Sequence, residues 1–283
     1  MWQLFGCVAF CTAICACADG APEPRGHAAS IPEPVLPAPS ASAAPAAPPA
    51  WVSTLPDVMP QLMAGQRVWA APPLRGSDMV DIGVYTVEGI HDRRVSLTDR
   101  LGQRIDGVPG ALVHAAIIGG KLNEGDIVLC YSFTLSAVLA RVAKLKAGSE
   151  IEVHYDWAGT TKTSSIEHCQ APVEGIAPLA FVGFPKGGGM SRGLLIALGT
   201  DRGWVRTASG HVEAHSVKAF EKLPIPPGDR VVGQKVRAYS WATGFQSGVV
   251  SNVSEPGLRY RVKLEGDKPE RDYFFTMLVD SGP

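Results

Sequence analysis

Short runs of alternating apolar and polar residues, separated by glycine-containing turns, fill the chain from about residue 51 to its end. In the run Arg259 to Leu264 every second side chain is apolar, which is the period of a strand with one buried face. The segment Leu135 to Lys146 also has apolar residues at helical spacing, so a helix is an alternative there. We favour a strand, because the register of this segment against the last repeat places a second strand at this point. The pattern therefore predicts a mostly β body.

A recurring opening divides this body into units. The runs Gly65 to Ala70, Gly125 to Cys130 and Gly233 to Ala238 share the order glycine, polar, any residue, apolar β-branched, any residue, small. A further unit begins near Pro178 without the opening glycine. Starts that lie about 50 to 60 residues apart indicate one small barrel per unit. The predicted units are residues 59–119, 120–175, 176–228 and 229–283.

The last unit carries a resemblance to a known family. Strand alternation points Val236 and Ala238 inward and points Arg237, Tyr239 and Trp241 outward. The pattern of the unit resembles a Tudor or agenet-type SH3-like barrel. The matching residues are Gly233, Val236, Ala238, Trp241, Phe245, Gly248, Val249, Tyr260, Arg261 and Val262. The first unit departs from it with Pro72 and Pro73, and the third with Gly187 to Gly189.

The resemblance implies a fold and a binding site. The implied fold is a series of tandem SH3-like, Tudor-like barrels after a disordered proline-rich tether. In Tudor barrels an aromatic cage receives a methylated cation through cation–π attraction. The residues at the corresponding positions are Tyr239, Trp241, Phe245 and Tyr273. An alternative is that these aromatic side chains pack between neighbouring barrels.

The first residues predict export. Residues 1–18 contain no charged side chain, and their apolar run from Leu4 to Ala18 is too short for an ordinary membrane span, so the segment is typical of a signal peptide. Ala16 followed by Cys17 resembles a bacterial lipoprotein cleavage site, which predicts a lipid on Cys17 and attachment to a bilayer. Ordinary cleavage after Ala18 is the alternative. Residues 19–58, rich in proline and alanine, are predicted to form a disordered tether.

The composition limits the function. Lysine and arginine number 26 against 27 aspartates and glutamates, so no global field favours nucleic acid. No nucleophile elbow, phosphate-binding loop or zinc-protease motif is present, and we predict a protein that is not an enzyme and uses no cofactor. His211 and His215 lie four residues apart without a partner cysteine or acid at ligand spacing, so we predict no metal site.

Two cysteines remain in the body. In an oxidising compartment Cys130 and Cys169 are predicted to form a disulfide. Zinc bound by Cys130, Cys169 and either His154 or His168 is an alternative, as are two buried thiols. Adjacent His168 and Cys169 would point to opposite faces of a strand, which disfavours a shared ion.

These observations favour a non-catalytic protein of the bacterial cell envelope, exposed to the periplasm or the cell surface. Its barrels would bind an envelope protein, a peptide or a glycan. The alternative is a structural spacer whose barrel faces pack on each other. An unfamiliar enzyme is the third hypothesis.

Overall fold

The computed structural model describes residues 47–281, except residues 75, 116–120, 133–135, 156–160, 227–228, 241 and 267. The chain divides into two compact units, Met1–Ala44 and Pro45–Pro283, and every described residue belongs to the second. The described part contains strands and short 3-10 turns and no α-helix, which confirms the all-β prediction. The predicted signal peptide, Cys17 and most of the tether lie outside the described residues.

In the described part of the chain, twenty strands form four sheets of five strands each, which we call barrels 1 to 4. Barrel 1 contains β1 (Arg67–Ala70), β2 (Gly83–His91), β3 (Arg94–Thr98), β4 (Arg104–Pro109) and β5 (Val113–Ala115). Barrel 2 contains β6 (Ile127–Ser132), β7 (Ser136–Leu145), β8 (Glu150–Tyr155), β9 (Thr161–Ser165) and β10 (Cys169–Gln170). Barrel 3 contains β11 (Phe181–Lys186), β12 (Gly189–Leu198), β13 (Arg202–Arg206), β14 (Val212–Ser216) and β15 (Glu221–Lys222). Barrel 4 contains β16 (Lys235–Ser240), β17 (Gly244–Glu255), β18 (Arg259–Leu264), β19 (Arg271–Phe274) and β20 (Leu278–Asp280).

All four barrels have the same topology. Strands one to four form an antiparallel meander, and the fifth strand returns to pair with the first, so the spatial order is 4-3-2-1-5. A short 3-10 turn precedes the fifth strand in each barrel. These turns are Gly110–Leu112, Ile166–His168, Val217–Ala219 and Phe275–Met277. This order and connection are those of the predicted SH3-like barrel repeats.

The opening residue of each repeat has the same backbone conformation. Gly65, Gly125 and Gly233 have φ values of 79°, 90° and 91°, a region that favours glycine. Leu179 takes the equivalent position in barrel 3 with φ 70°. Its N–H donates to the Leu195 carbonyl at 2.7 Å, as the glycine N–H groups do to their second strands. The leucine side chain is buried at 5% exposure, so core packing offsets the strain where the glycine is missing.

Each second strand bends at a β-bulge, which lets one long strand contribute to both halves of a barrel. The register shifts lie directly after Val87 in β2, Val142 in β7, Leu195 in β12 and Val250 in β17. In barrel 2 the segment that could have been a helix is therefore strand β7, and the strand prediction is confirmed. The equivalent bulges also fix which residues of the four barrels correspond to one another.

The barrels pack on each other as well as around their own interiors. Barrels 2, 3 and 4 each enclose a small apolar cluster. A larger cluster joins the interior of barrel 1 to Leu129 and Leu139 of barrel 2 and to Leu194 and Ile196 of barrel 3. The His114 ring nitrogen Nε2 donates to the Ile196 carbonyl oxygen at 2.8 Å across the same contact. Barrel 1 is therefore the centre of a shared apolar core.

Barrel 4 attaches to barrel 2 through different contacts. The Arg141 guanidinium of barrel 2 lies 5.2 Å from the centre of the Phe275 ring. Ile127 packs against the apolar cluster of barrel 4 and also against the shared core. Inside barrel 4, Val236, Ala238 and Tyr260 are buried in its core, which confirms their predicted orientation.

The end of the predicted tether belongs to the folded body. Residues 50–54 form a 3-10 turn, Ala50–Thr54, in which Val52 is buried at 7% exposure. The Trp204 indole N–H of barrel 3 donates to the Thr54 hydroxyl at 3.2 Å. Trp51 and Leu55 pack against the shared core. The last part of the predicted tether, residues 19–58, is therefore packed on the body, because these two apolar side chains cover the shared core.

Candidate functional site

Tyr239 and Phe245, two of the predicted cage residues, lie between barrels 3 and 4. The Tyr239 side chain is buried at 5% exposure, and its ring centre lies 5.2 Å from that of Phe245. Its hydroxyl is 3.2 Å from the Ser191 hydroxyl of barrel 3. Tyr239 does point out of its own barrel, but β12 of the neighbouring barrel covers it. The expectation that it forms an open ligand surface was therefore wrong.

Charged groups hold the same contact together. Arg237 of barrel 4 donates two hydrogen bonds to the carboxylate of Glu221 in barrel 3, one of them 3.1 Å long. Its guanidinium also lies 5.3 Å from the centre of the Phe245 ring. From the other side, Arg192 of barrel 3 donates to the Thr276 carbonyl oxygen. The outer face of β16 is thus an inter-barrel contact, which is the alternative that the sequence left open for these aromatic residues.

Tyr273 lies apart from this pair. It belongs to the core cluster of barrel 4 and pairs with Tyr260 across β18 and β19. Ser240, which alternates with Tyr239 along β16, lines the same small cavity as Tyr273. Strand alternation therefore places Tyr239 and Tyr273 on opposite sides of the sheet. Trp241, the fourth predicted residue, lies outside the described residues.

Cys130 and Cys169 form a disulfide. The two residues face each other in the pairing of β6 with β10, the first and last strands of barrel 2. The equivalent pair in barrel 4 is Ala238 opposite Leu278, so the disulfide takes the place of an apolar core contact. Among the described residues, no group of three or more histidine, cysteine or acidic side chains is arranged to hold a metal ion.

A cavity with a candidate site lies at one end of barrel 1. It measures about 470 Å³, and we call it the barrel-1 pocket. Its walls include residues 47–49 of the N-terminal segment, residues 72–74 between β1 and β2, and residues 103–109 at the end of the β3–β4 turn and along β4. The β1–β2 connection is long here, and Val80 N–H donates to the Gly210 carbonyl of barrel 3 at 3.2 Å. That contact fixes the wall of the pocket.

A tyrosine and an aspartate lie together in this pocket. Tyr85 points into barrel 1 opposite Val68, and its hydroxyl hydrogen-bonds the Asp81 carboxylate. Burial first, and the negative charge of Asp81 second, raise the pKa of Tyr85 above its usual range, so the hydroxyl stays protonated and donates. The corresponding residues of the other barrels are small: Ala140, Gly193 and Gly248. Barrel 1 is thus the repeat with an aromatic residue at this position.

The other charged groups of the pocket have structural partners. Asp99 accepts hydrogen bonds from the backbone N–H groups of Leu101 and Gln103, each 2.8 Å long. Hydrogen bonds from Ser96 and Arg104 hold the pKa of Asp106 below its usual value. These contacts stabilise the turn between β3 and β4 and the start of β4.

Asp81 has a different environment. It meets the Tyr85 hydroxyl and also attracts the buried guanidinium of Arg206 in barrel 3. Three aspartates and two arginines, Arg94 and Arg104, line the pocket beside proline and aliphatic side chains, and this excess of acidic groups suits a cation on an apolar stem.

The sequence contained a signal for this pair that the repeat comparison did not use. Aligning the repeats by their bulges shows tyrosine in barrel 1 where the others have alanine or glycine. The Tudor pattern is clearest in the last unit, whereas the pocket lies in barrel 1. Pro72 and Pro73, at which the first unit departs from the pattern, line the pocket.

Comparison with known proteins gives no functional assignment. No family model matches the chain. No curated protein matches it either. Among solved structures, the chain is similar to the four MBT repeats of Drosophila melanogaster Sfmbt in complex with the peptide RHR(me)KVLR. The identity is 10%, the match covers 85% of this chain and 94% of that chain, and the TM-score is 0.17, so this similarity carries no argument about the site.

In the described part of the chain, no helix has the length and apolar character that a membrane span requires.

Proposed function

We propose that the protein is a non-catalytic binding module and that the barrel-1 pocket receives a lysine or arginine side chain of a peptide. The observation that carries this proposal is the Tyr85–Asp81 pair, which the other three barrels lack. The aromatic ring and the prolines take the apolar stem of the side chain, and the Asp81 carboxylate takes its charged end. A neutral glycan offers hydroxyl donors but no positive charge for this carboxylate, so a peptide with a basic side chain is the preferred class of ligand.

The size and charge of the pocket support this ligand. A cavity of about 470 Å³ lies in the usual range for ligand sites and exceeds the volume of one side chain. A charge-assisted hydrogen bond contributes about 1.5 to 3 kcal/mol to binding, or roughly tenfold to a hundredfold in affinity. The remaining pocket volume accommodates backbone and neighbouring side chains of the peptide. This geometry distinguishes a basic side chain from an uncharged one and involves no catalytic step.

A structural role is the second candidate, and the contact between barrels 3 and 4 favours it. The outward residues Arg237, Tyr239 and Phe245 are used in packing, as a spacer of mutually buried barrels requires. A binding module also needs such a body, because barrels that pack on each other hold its pocket rigid. The structural role and the binding role are compatible. Whether the protein also binds a ligand depends on the barrel-1 pocket.

We further propose that the protein is exported and anchored in a bacterial cell envelope by a lipid on Cys17. The Cys130–Cys169 disulfide fits an oxidising compartment outside the cytoplasm. The expected mature protein begins at Cys17 and carries the mass of the acyl chains. Mass spectrometry of its N-terminal peptide measures this, and an unmodified N-terminus at Asp19 would mean soluble export instead.

The binding proposal is tested with short capped peptides that differ at one position. Acetyl-Ala-Ala-Lys-Ala-Ala-amide and its norleucine and glutamate counterparts share the backbone and differ in charge. Calorimetric titration of the full chain is expected to show at least about tenfold tighter binding of the lysine peptide than of the norleucine peptide. Asp81→Asn should remove this difference.

The control is Asp201→Asn, which removes an equal charge from an exposed turn of barrel 3. This variant should bind like the original chain. If the lysine and norleucine peptides bind equally well to the unaltered protein, or if both variants lose the preference alike, the proposed function is wrong.

A further inference from the structure

A segment outside the sheets runs between barrel 3 and barrel 1. Residues 50–63 precede β1, and none of them belongs to one of the four described sheets. We call this segment the strap. It begins with the 3-10 turn Ala50–Thr54, and the residues just before that turn, 47–49, form one wall of the barrel-1 pocket. The strap therefore connects a wall of the pocket to the packing of two barrels.

Barrel 3 holds the first half of the strap. The Trp204 indole N–H donates to the Thr54 hydroxyl at 3.2 Å, and Trp204 is itself buried at 3% exposure. Pro56 lies 3.7 Å from the position that a Cβ atom of Gly199 would take. A buried N–H that loses its acceptor is costly, so the hydrogen bond to Thr54 favours the docked position of the strap.

Barrel 1 holds the second half of the strap. A Cβ atom on Gly110 would lie 2.6 Å from both the Val58 carbonyl oxygen and the Met59 sulfur, so the strap approaches barrel 1 as closely as a glycine permits. Asp57 forms an ion pair with Arg93 in the β2–β3 turn. Because both side chains of this pair are exposed, it contributes little, and close packing at Gly110 is the main contact on this side.

Val52 connects the docking of the strap to the pocket. Its side chain is buried at 7% exposure and lines the barrel-1 pocket, and its N–H donates to the Pro49 carbonyl at 3.0 Å. Its own carbonyl accepts from the N–H of Leu55 at 3.4 Å, and Leu55 packs against the shared core. Displacement of the strap from the core therefore also displaces the wall of the pocket that Val52 and Pro49 form.

We propose that the strap couples the contact between barrels 1 and 3 to ligand binding in the barrel-1 pocket. The strap lacks the strand pairing of the barrels, and segments of this kind open at a lower free energy than core strands. A ligand that contacts a wall present only in the docked state binds that state more tightly, and it favours docking by the same factor. Because the ligand is the basic side chain of the proposed function, the coupling rests on that function.

Thr54→Val tests the coupling in the full chain. The substitution keeps the shape of the side chain and removes the acceptor of the Trp204 N–H. Calorimetric titration with acetyl-Ala-Ala-Lys-Ala-Ala-amide is expected to show roughly threefold to tenfold weaker binding than in the original chain, the effect of one lost hydrogen bond. Hydrogen exchange followed by mass spectrometry measures docking. The amides of residues 52–58 should exchange faster in the variant, and in the original chain they should exchange more slowly when the peptide is bound.

Ser53→Ala is the matched control. Ser53 lies on the same turn, and its hydroxyl donates to the Ala50 carbonyl at 2.7 Å without reaching barrel 3. This variant should bind the peptide like the original chain and leave the exchange of the strap unchanged. Gly110→Ala displaces the strap from the barrel 1 side and should weaken peptide binding at least as much as Thr54→Val does.

Three results would overturn the coupling. The first is equal peptide affinity of Thr54→Val and Ser53→Ala although the strap exchanges faster in Thr54→Val. The second is a strap whose exchange does not respond to bound peptide, and the third is one whose exchange does not respond to Thr54→Val. If the original chain still prefers the lysine peptide to the norleucine peptide, the coupling alone is wrong. If it shows no such preference, the proposed function fails, and the coupling fails with it.

Discussion

Replacing Trp69 with alanine is expected to destabilise the folded chain by about 4 kcal/mol, the usual cost of truncating a fully buried tryptophan. Trp69 has 0% exposure and lies in the apolar core shared by barrels 1, 2 and 3. Strand alternation places it on the face of β1 opposite Val68 and Ala70. Its loss therefore opens a cavity in the core between the barrels.

Chemical denaturation followed by circular dichroism measures this change. Leu101→Ala is the control, because Leu101 is 67% exposed and its truncation should alter the free energy of unfolding by less than about 0.5 kcal/mol. The account also predicts that barrels 1, 2 and 3 unfold together. A separate early transition of barrel 1 alone, with the other barrels unchanged, would show that the shared core does not couple them.

Removing the disulfide is the second change with a large expected effect. The bond joins residues 39 positions apart, and closing a loop of that length stabilises the folded state by about 4 kcal/mol on the chain-entropy estimate. The double variant Cys130→Ala and Cys169→Ala should therefore lower the free energy of unfolding by about this amount. Barrel 2 is affected most, since the bond connects its first and last strands.

Adding a reducing agent to the original chain and to the double variant tests the contribution of the same bond. It should lower the denaturation midpoint of the original chain to near that of the double variant, and it should leave the double variant itself unmoved. An equal effect on both proteins would show that the reductant acts elsewhere. No effect on the original chain would mean that the bond contributes no stability.

The repeat architecture was predictable from local signals. Glycine at Gly65, Gly125 and Gly233 marks a backbone position with positive φ, and alternation after it marks the first strand. Leu179 shows why one unit was harder to recognise. The hydrogen bonds of the repeat hold the backbone of Leu179 in the same conformation as the opening glycines. The backbone structure is therefore the same in all four barrels, although the residue type at this position differs.

The location of the site was not predictable by the same means. The alternation of side chains along β16 predicts on which face of the strand Tyr239 lies. What covers that face is determined by the packing of barrel 3, which alternation does not predict. The same limit applies to the end of the tether, because proline and alanine predict an extended chain without indicating that Trp51 and Leu55 find a core. Asp81 and Tyr85 lie close in the sequence, yet their meeting depends on the long connection that barrel 3 holds in place.

The central claim is that the barrel-1 pocket is where a basic side chain binds, and the position of a bound lysine peptide tests it most directly. An NMR titration of the ¹⁵N-labelled full chain with acetyl-Ala-Ala-Lys-Ala-Ala-amide reports every backbone amide at once. The account predicts shifts at residues 72–74, 81–85 and 103–108, and their loss in Asp81→Asn. Shifts confined to barrel 4 or to the barrel 3–4 contact, with residues 81–85 unmoved, would contradict it.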